Sequence, residues 1–194
     1  MNTEDAIAKL AEDIDEWFEE GRSTLAVPDR FAHERAMIRG MRIVQELERL
    51  KTHGLKALKS TVANATSTAE NEGVPSLIKA FVVGAKLAAA LHDELLDTDG
   101  ENKIVRLMND MAAALDKTSQ GRTALAELLD HSDRRVRASA GAYLLIKNLM
   151  PDRVVPILRA IEEGHQGSSA EFTAHWALLD WELKQKATAI DRNK

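Results

Sequence analysis

Residues Leu128–Leu145, LLDHSDRRVRASAGAYLL, set an acidic, polar break directly against a run that mixes arginines with alanines and leucines. Leu128 and Leu129 close one apolar run. Asp133 then stands where a helix N-cap belongs, because its carboxylate can accept a hydrogen bond from an early backbone N–H of the helix that follows. Val136, Ala140, Tyr143 and Leu144 recur at the spacing that brings side chains to one helical face. Ala138, Ala140, Gly141 and Ala142 are small enough to let a neighbouring helix pack closely. The stretch therefore predicts a helix, a tight turn and a second, closely packed helix. Arg137 is expected to pair with an acidic turn residue, Asp130 or Asp133, and to knit one helix pair to the next. Arg134 and Arg135 are expected to be exposed near a binding edge.

The rest of the chain agrees with a helical reading. Its 194 residues can bury a real core, aromatics make up 4%, and Gly (10) and Pro (4) are few. Apolar content leans on Ala and Leu, which lose little entropy in a helix, whereas sheets favour β-branched and aromatic residues. With no cysteine, disulfides, a thiolate nucleophile and sulfur-ligated zinc are excluded. A net charge of -5 disfavours general affinity for nucleic acid and suits a basic partner. The start, MNTEDAIAKL, lacks the basic flank and apolar core of a signal peptide, so the cytoplasm is the expected compartment. The most apolar stretch, Phe81–Leu96, is broken by Lys86, His92, Asp93 and Glu94, which marks it as a core helix rather than a membrane span.

Periodicity predicts about nine helices. One covers Glu4–Glu20, with Ile7, Leu10, Ala11, Ile14, Trp17 and Phe18 on its apolar stripe. A second follows Pro28 and Asp29 to about Leu50, and a short third runs from Gly54 to Ala63. The segment ATSTAENEGVP, Ala65–Pro75, reads as a linker, dividing an N-terminal helical unit (1–65) from a second unit (76–194), with 66–75 between them. Six more helices begin near Ser76, Glu101, Gly121, Asp133, Asp152 and Ser169. Ser168 and Glu171 have the spacing of a capping box at the start of the last. Glu34, Arg39, Met41, Gly54, Ala57 and Leu58 recur at one constant offset as Glu101, Arg106, Met108, Gly121, Ala124 and Leu125. Either the unit is duplicated, or two Ala-rich amphipathic segments agree by chance.

The Leu pair, the Asp-containing turn and the Val-Arg-small run of DHSDRRVRASAGAYLL resemble the second helix of a HEAT repeat. MPDRVVPILRAIEEG would supply the next repeat's first helix, with Pro156 in or near its first turn and Leu158 and Ile161 facing the stack. More narrowly, residues 77–183 resemble a bacterial HEAT-like family, domain of unknown function two-thousand-nineteen, through GRTALAELLDHSDRRVRASA, RVVPILRAIEEG and SSAEFTAHW. That family often carries Pro at the positions of Ser132 and Arg134, so the turn here is looser. The resemblance implies an all-α fold of HEAT-like stacked helical hairpins, an α-solenoid.

No catalytic constellation stands out. The six histidines lack the His-Glu-x-x-His arrangement, and no P-loop, dinucleotide fingerprint or nucleophile elbow occurs. His175, between Phe172 and Trp176, reads as a packed histidine. Of Trp176 and Trp181, one is expected in the core and the other partly exposed. LDTDGEN, from Leu96, alternates acids near Gly100 but fails the EF-hand count, and reads as a capped turn. No cofactor or metal is implied.

The acids Glu12, Asp13, Glu16, Glu19 and Glu20 crowd one side of the first helix. They form either a solvated face or a docking surface for a cationic partner. The leading expectation is a non-enzymatic protein-binding module, resembling the small acidic immunity proteins or antitoxins that occlude a toxin's active site. Its contact residues would be those five acids or Arg134 and Arg135. The alternatives are a HEAT-like nucleic-acid or DNA-repair protein, which should show a basic face with stacking aromatics, and a homo-oligomeric scaffold joined through Phe81–Leu91.

Overall fold

The computed structural model describes residues 5, 8–15, 32–65, 73–164 and 167–191, with backbone alone at 32–43, 65 and 189–191. Among the described residues all regular structure is helical, in eight α-helices with no strand. These are α1 (residues 8–15), α2 (Ala32–Ala65), α3 (Val74–Ala90), α4 (Thr98–Leu115), α5 (Ser119–Glu127), α6 (Arg134–Ile146), α7 (Pro151–Glu162) and α8 (Ser169–Asp191). The chain groups into two compact units, Met1–Met111 and Ala112–Lys194.

Among the described residues eight helices stand against the expected nine, because α2 runs unbroken for 34 residues, straight through Gly54. A glycine inside a helix costs roughly 0.5–1 kcal/mol relative to alanine. Here it permits a close approach: a Cβ at Gly54 would stand 2.5 Å from Leu87 Cδ2 on α3 and 3.3 Å from Leu10 Cδ2 on α1. Leu47, Leu50 and Leu58 of α2 are buried in the same core as Leu77, Phe81 and Leu87 of α3, and that burial outweighs the propensity penalty. Of the expected linker, residues 66–72 lie outside the described residues, while Gly73 caps α3 and Pro75 occupies its first turn, where proline's missing N–H has no helical partner to lose.

The apolar α3 is a core helix. By length and composition Val74–Leu95 could cross a bilayer, yet most of it is buried within the chain's own packing. Phe81, Leu87 and Leu91 are fully covered, so they offer no surface for self-association. After Ala90 the helix widens into one π turn, Leu91–Leu95, and stops at Leu96 in the left-handed conformation (φ 52°). LDTDGEN is a capped turn, with the Asp97 carboxylate accepting from Gly100 N–H at 3.0 Å and from Lys51 Nζ at 2.9 Å. The Gly100 hydrogen bond, then Lys51, holds Asp97 below its ordinary range. Glu48, then Asp97, pushes Lys51 above its own.

The two stretches read as a duplication adopt different local structures. Gly54 lies inside a continuous helix, whereas the second stretch breaks between α4 and α5 and places Gly121 in the first turn of α5. There the Thr118 side chain accepts from Gly121 N–H at 3.0 Å, and any Cβ would run into the Leu115 carbonyl. The shared residue types serve a helix contact in one case and a helix start in the other.

In the second unit α6 packs against both α7 and α8, and α7 against α8. Val136, Ala140, Tyr143 and Leu144 are buried, as the periodicity predicts. Gly141 sets the spacing, since a Cβ there would lie 2.8 Å from Leu158 Cδ2 of α7. Leu158 and Ile161 face the interior. Pro151 occupies the first turn of α7, which places Pro156 beyond that turn, within the helix and exposed. The end of α6 is a Schellman closure: Leu149 N–H reaches Leu144 O at 2.8 Å, Asn148 N–H reaches Leu145 O at 2.9 Å, and Asn148 is left-handed (φ 54°).

Gly54→Val is expected to cost about 1–3 kcal/mol, the usual range for overpacking, read as a lower urea midpoint. Because the folded Asp97 pKa lies below the ordinary 3.8, its contribution is present above that value and is lost as pH falls through the folded value. Asp97→Ala should therefore be less stable than the parent at neutral pH, and the difference should close in acid, as measured by chemical denaturation across pH.

Candidate interaction surface on the last helix

The start of α8 is fixed by Glu171. Its carboxylate accepts from Ser168 N–H at 3.1 Å and from Arg134 Nη1 at 3.3 Å. The predicted capping box thus forms through one arm: the Ser168 hydroxyl is buried and has no hydrogen-bond partner among the described residues. This anchors the helix to the beginning of α6 and sets its rotation.

That rotation turns Ala170, Ala174, Ala177 and Leu178 into the core and leaves Phe172, Trp176 and Leu183 exposed on the opposite side. Leu179, partly exposed, lies between them on the same face. Trp176 keeps 52% of its surface in solvent and Leu183 57%. A helix that is apolar on both sides is normally covered on both. The outward rings are ordered against one another, Phe172 meeting Trp176 edge to face at 5.9 Å between centroids and His175 meeting Trp176 at 5.6 Å. Polar pairs border the stripe: a hydrogen bond between His175 Nδ1 and Glu162 at 2.6 Å, and ion pairs from Arg159 to Glu182 at 2.9 Å and from Lys184 to Asp180 at 2.6 Å. Apolar rings at the centre with a charged rim is the anatomy of a protein contact surface.

His175 is therefore exposed and paired with a carboxylate rather than packed. Neither tryptophan is a core residue: Trp181 is partly exposed and donates its indole N–H to Asn148 Oδ1 at 3.2 Å. Asn148, left-handed at the end of α6, thereby ties the middle of α8 to the α6–α7 turn.

Of the seven residues expected to meet a partner, four are described, and three of those four are engaged within the chain. Arg134 binds Glu171, and Arg135 binds Asp133 through both carboxylate oxygens. Asp133 caps α6 as expected, accepting from Arg135 N–H at 2.9 Å. Arg137 braces the turn through carbonyls instead of a carboxylate, donating to His131 O at 2.6 Å and Ser132 O at 2.8 Å. The link to Asp130 comes from Arg153 of α7, at 2.7 Å, a cross-helix pair invisible to local spacing. Of the acidic face, Glu12 is exposed, Asp13 bonds Arg49 at 2.8 Å and Lys9 at 3.3 Å, and Glu16, Glu19 and Glu20 lie outside the described residues. Burial pushes the Asp13 carboxyl up, but the hydrogen bonds from Arg49 and Lys9 outweigh it and hold the group below its ordinary range. Among the described residues, no group of three or more His, Asp and Glu is placed to hold a metal ion.

The α8 stripe had a sequence signal. Phe172, Trp176, Leu179 and Leu183 follow a four-three-four spacing on one face while small residues fill the other. Trp176→Ala should change the unfolding free energy by no more than about 0.5 kcal/mol, as for a surface site. Leu178→Ala, on the opposite face, should cost about 2–5 kcal/mol. Urea denaturation of the two variants checks the assignment of faces.

In comparisons with known proteins, no family model, no curated protein and no solved structure matches the chain.

Proposed function

We propose that the protein is a non-enzymatic binding module that engages a protein partner through the outward face of α8, in the manner of an immunity protein or antitoxin that covers its toxin. The observation that carries this reading is the exposure of Phe172, Trp176 and Leu183 on a helix whose other face is already in the core. Large, ordered aromatics at the centre of a surface are the residues that anchor interfaces, filling pockets on the partner while the rim excludes water. The HEAT-like reading draws its support from the second unit, where α6 and α7 pack around Gly141 and α8 lies against both.

Inhibition would be steric, the α8 face covering the partner's active surface. The net charge of -5 favours a basic partner, since complementary potential speeds encounter and disfavours wrong partners. Arg134 seats α8 through Glu171, and Arg135 holds Asp133, the cap of α6.

Co-expression with the product of the neighbouring gene tests the reading. A stoichiometric complex should form, and Phe172→Ala with Trp176→Ala should weaken it by about tenfold or more and remove protection in a growth assay. A complex indifferent to both substitutions, or no complex together with salt-sensitive retention on DNA, contradicts it.

A further inference from the structure

We propose that the same α8 face pairs with a second copy of this chain, the two α8 helices running antiparallel about a two-fold axis between Ala177 and Leu178. The inference rests on the reading of that face as the protein's contact surface and names its occupant when no other partner is present.

Residues Phe172, Trp176, Leu179 and Leu183 follow the alternating four- and three-residue spacing that lets two helices interlock side chains along a narrow seam. An antiparallel pair must match each position with one at a constant sum of residue numbers. A single register places Phe172 against Leu183 of the second copy and Trp176 against its Leu179, and by symmetry the reverse. All four apolar layers are then filled, with a large ring always facing a leucine. In this register Thr173 lies beside Asp180 of the second copy and His175 beside its Glu182.

The rim charges favour the same register. His175 is already bonded to Glu162 at 2.6 Å and Glu182 to Arg159 at 2.9 Å. In this register Thr173 meets Asp180 and His175 meets Glu182, so no two carboxylates face each other across the seam. Sliding the helices one heptad further along their C-terminal halves does the opposite, setting Asp180 against Asp180 and Glu182 against Glu182 across the axis. Like charges so placed are destabilising.

The size of the contact sets its strength. Phe172 and Trp176 are each 52% exposed, and a fully buried ring of this kind covers roughly 150–250 Å². Over the two copies the rings contribute roughly 300–500 Å², so even with the leucines the apolar seam is smaller than a standard specific interface and the dimer is a weak one. Such a dimer is concentration-dependent, and a tighter partner for the same face can displace one copy.

The full chain should show a monomer–dimer equilibrium in sedimentation velocity across a dilution series, and Trp176→Ala should weaken it by about tenfold or more. The chain has no cysteine, so a mixture of the Thr173→Cys and Asp180→Cys variants should cross-link on oxidation, while either variant alone should not. A chain monomeric at its highest soluble concentration overturns the inference, as does a dimer that Trp176→Ala leaves intact, or cross-linking of Thr173→Cys with itself. If the chain stays monomeric while Trp176→Ala still abolishes capture of the neighbouring gene's product, self-pairing fails and the partner-binding reading stands. If the dimer forms as described and that product binds regardless of Trp176, the self-pairing stands and the partner reading fails.

Discussion

Close helix approach through small residues is the constraint on which the rest of this structure depends. In the first unit Gly54 admits Leu87 and Leu10, and Gly84 admits the Met108 side chain. In the second, Gly141 admits Leu158 and Val154. Each glycine gives up helical propensity, and each returns more through the burial and dispersion contacts of the side chain that fills its place. Because such contacts depend on shape, they also determine which face of each helix turns inward.

That selection produces the surface feature on which the proposed function rests. On α8 the inward positions are Ala170, Ala174 and Ala177, small residues that seat the helix against its neighbours, with Leu178 beside them. The bulky residues Phe172 and Trp176 are thereby left on the outside. Glu171 locks the rotation from one end through Ser168 N–H and Arg134, and Asn148 holds Trp181 further along. The aromatic stripe is thus presented on a rigid support, which lowers the entropy lost when a partner covers it.

Much of the local architecture was legible in the sequence. The inward face of α6, the Asp133 cap, the capped turn at Asp97 and the all-helical class follow from periodicity and turn chemistry, which are local properties. What was not legible depends on tertiary contact. Gly54 looks like a break until Leu87 occupies the space beside it. Arg137 looks like an ion-pairing residue until the turn presents it with two carbonyls, while Arg153, remote in sequence, takes Asp130. Arg134 and Arg135 read as a binding edge because their acidic partners, Glu171 and Asp133, become partners only when the turn closes and α8 docks. The α8 stripe was missed for a related reason. Both faces of that helix are apolar, so composition alone does not say which one the core takes.

If the α8 face is the contact surface, Trp176 is open to solvent in the free chain and covered in the complex. The most direct measurement is the fluorescence of Trp176 in a chain carrying Trp17→Phe and Trp181→Phe, recorded with acrylamide quenching, first dilute and then with the neighbouring gene's product. Emission should be red-shifted and readily quenched in the dilute chain, and blue-shifted and protected in the complex. Emission already shielded in the dilute chain, or unchanged in a complex that demonstrably forms, would contradict it.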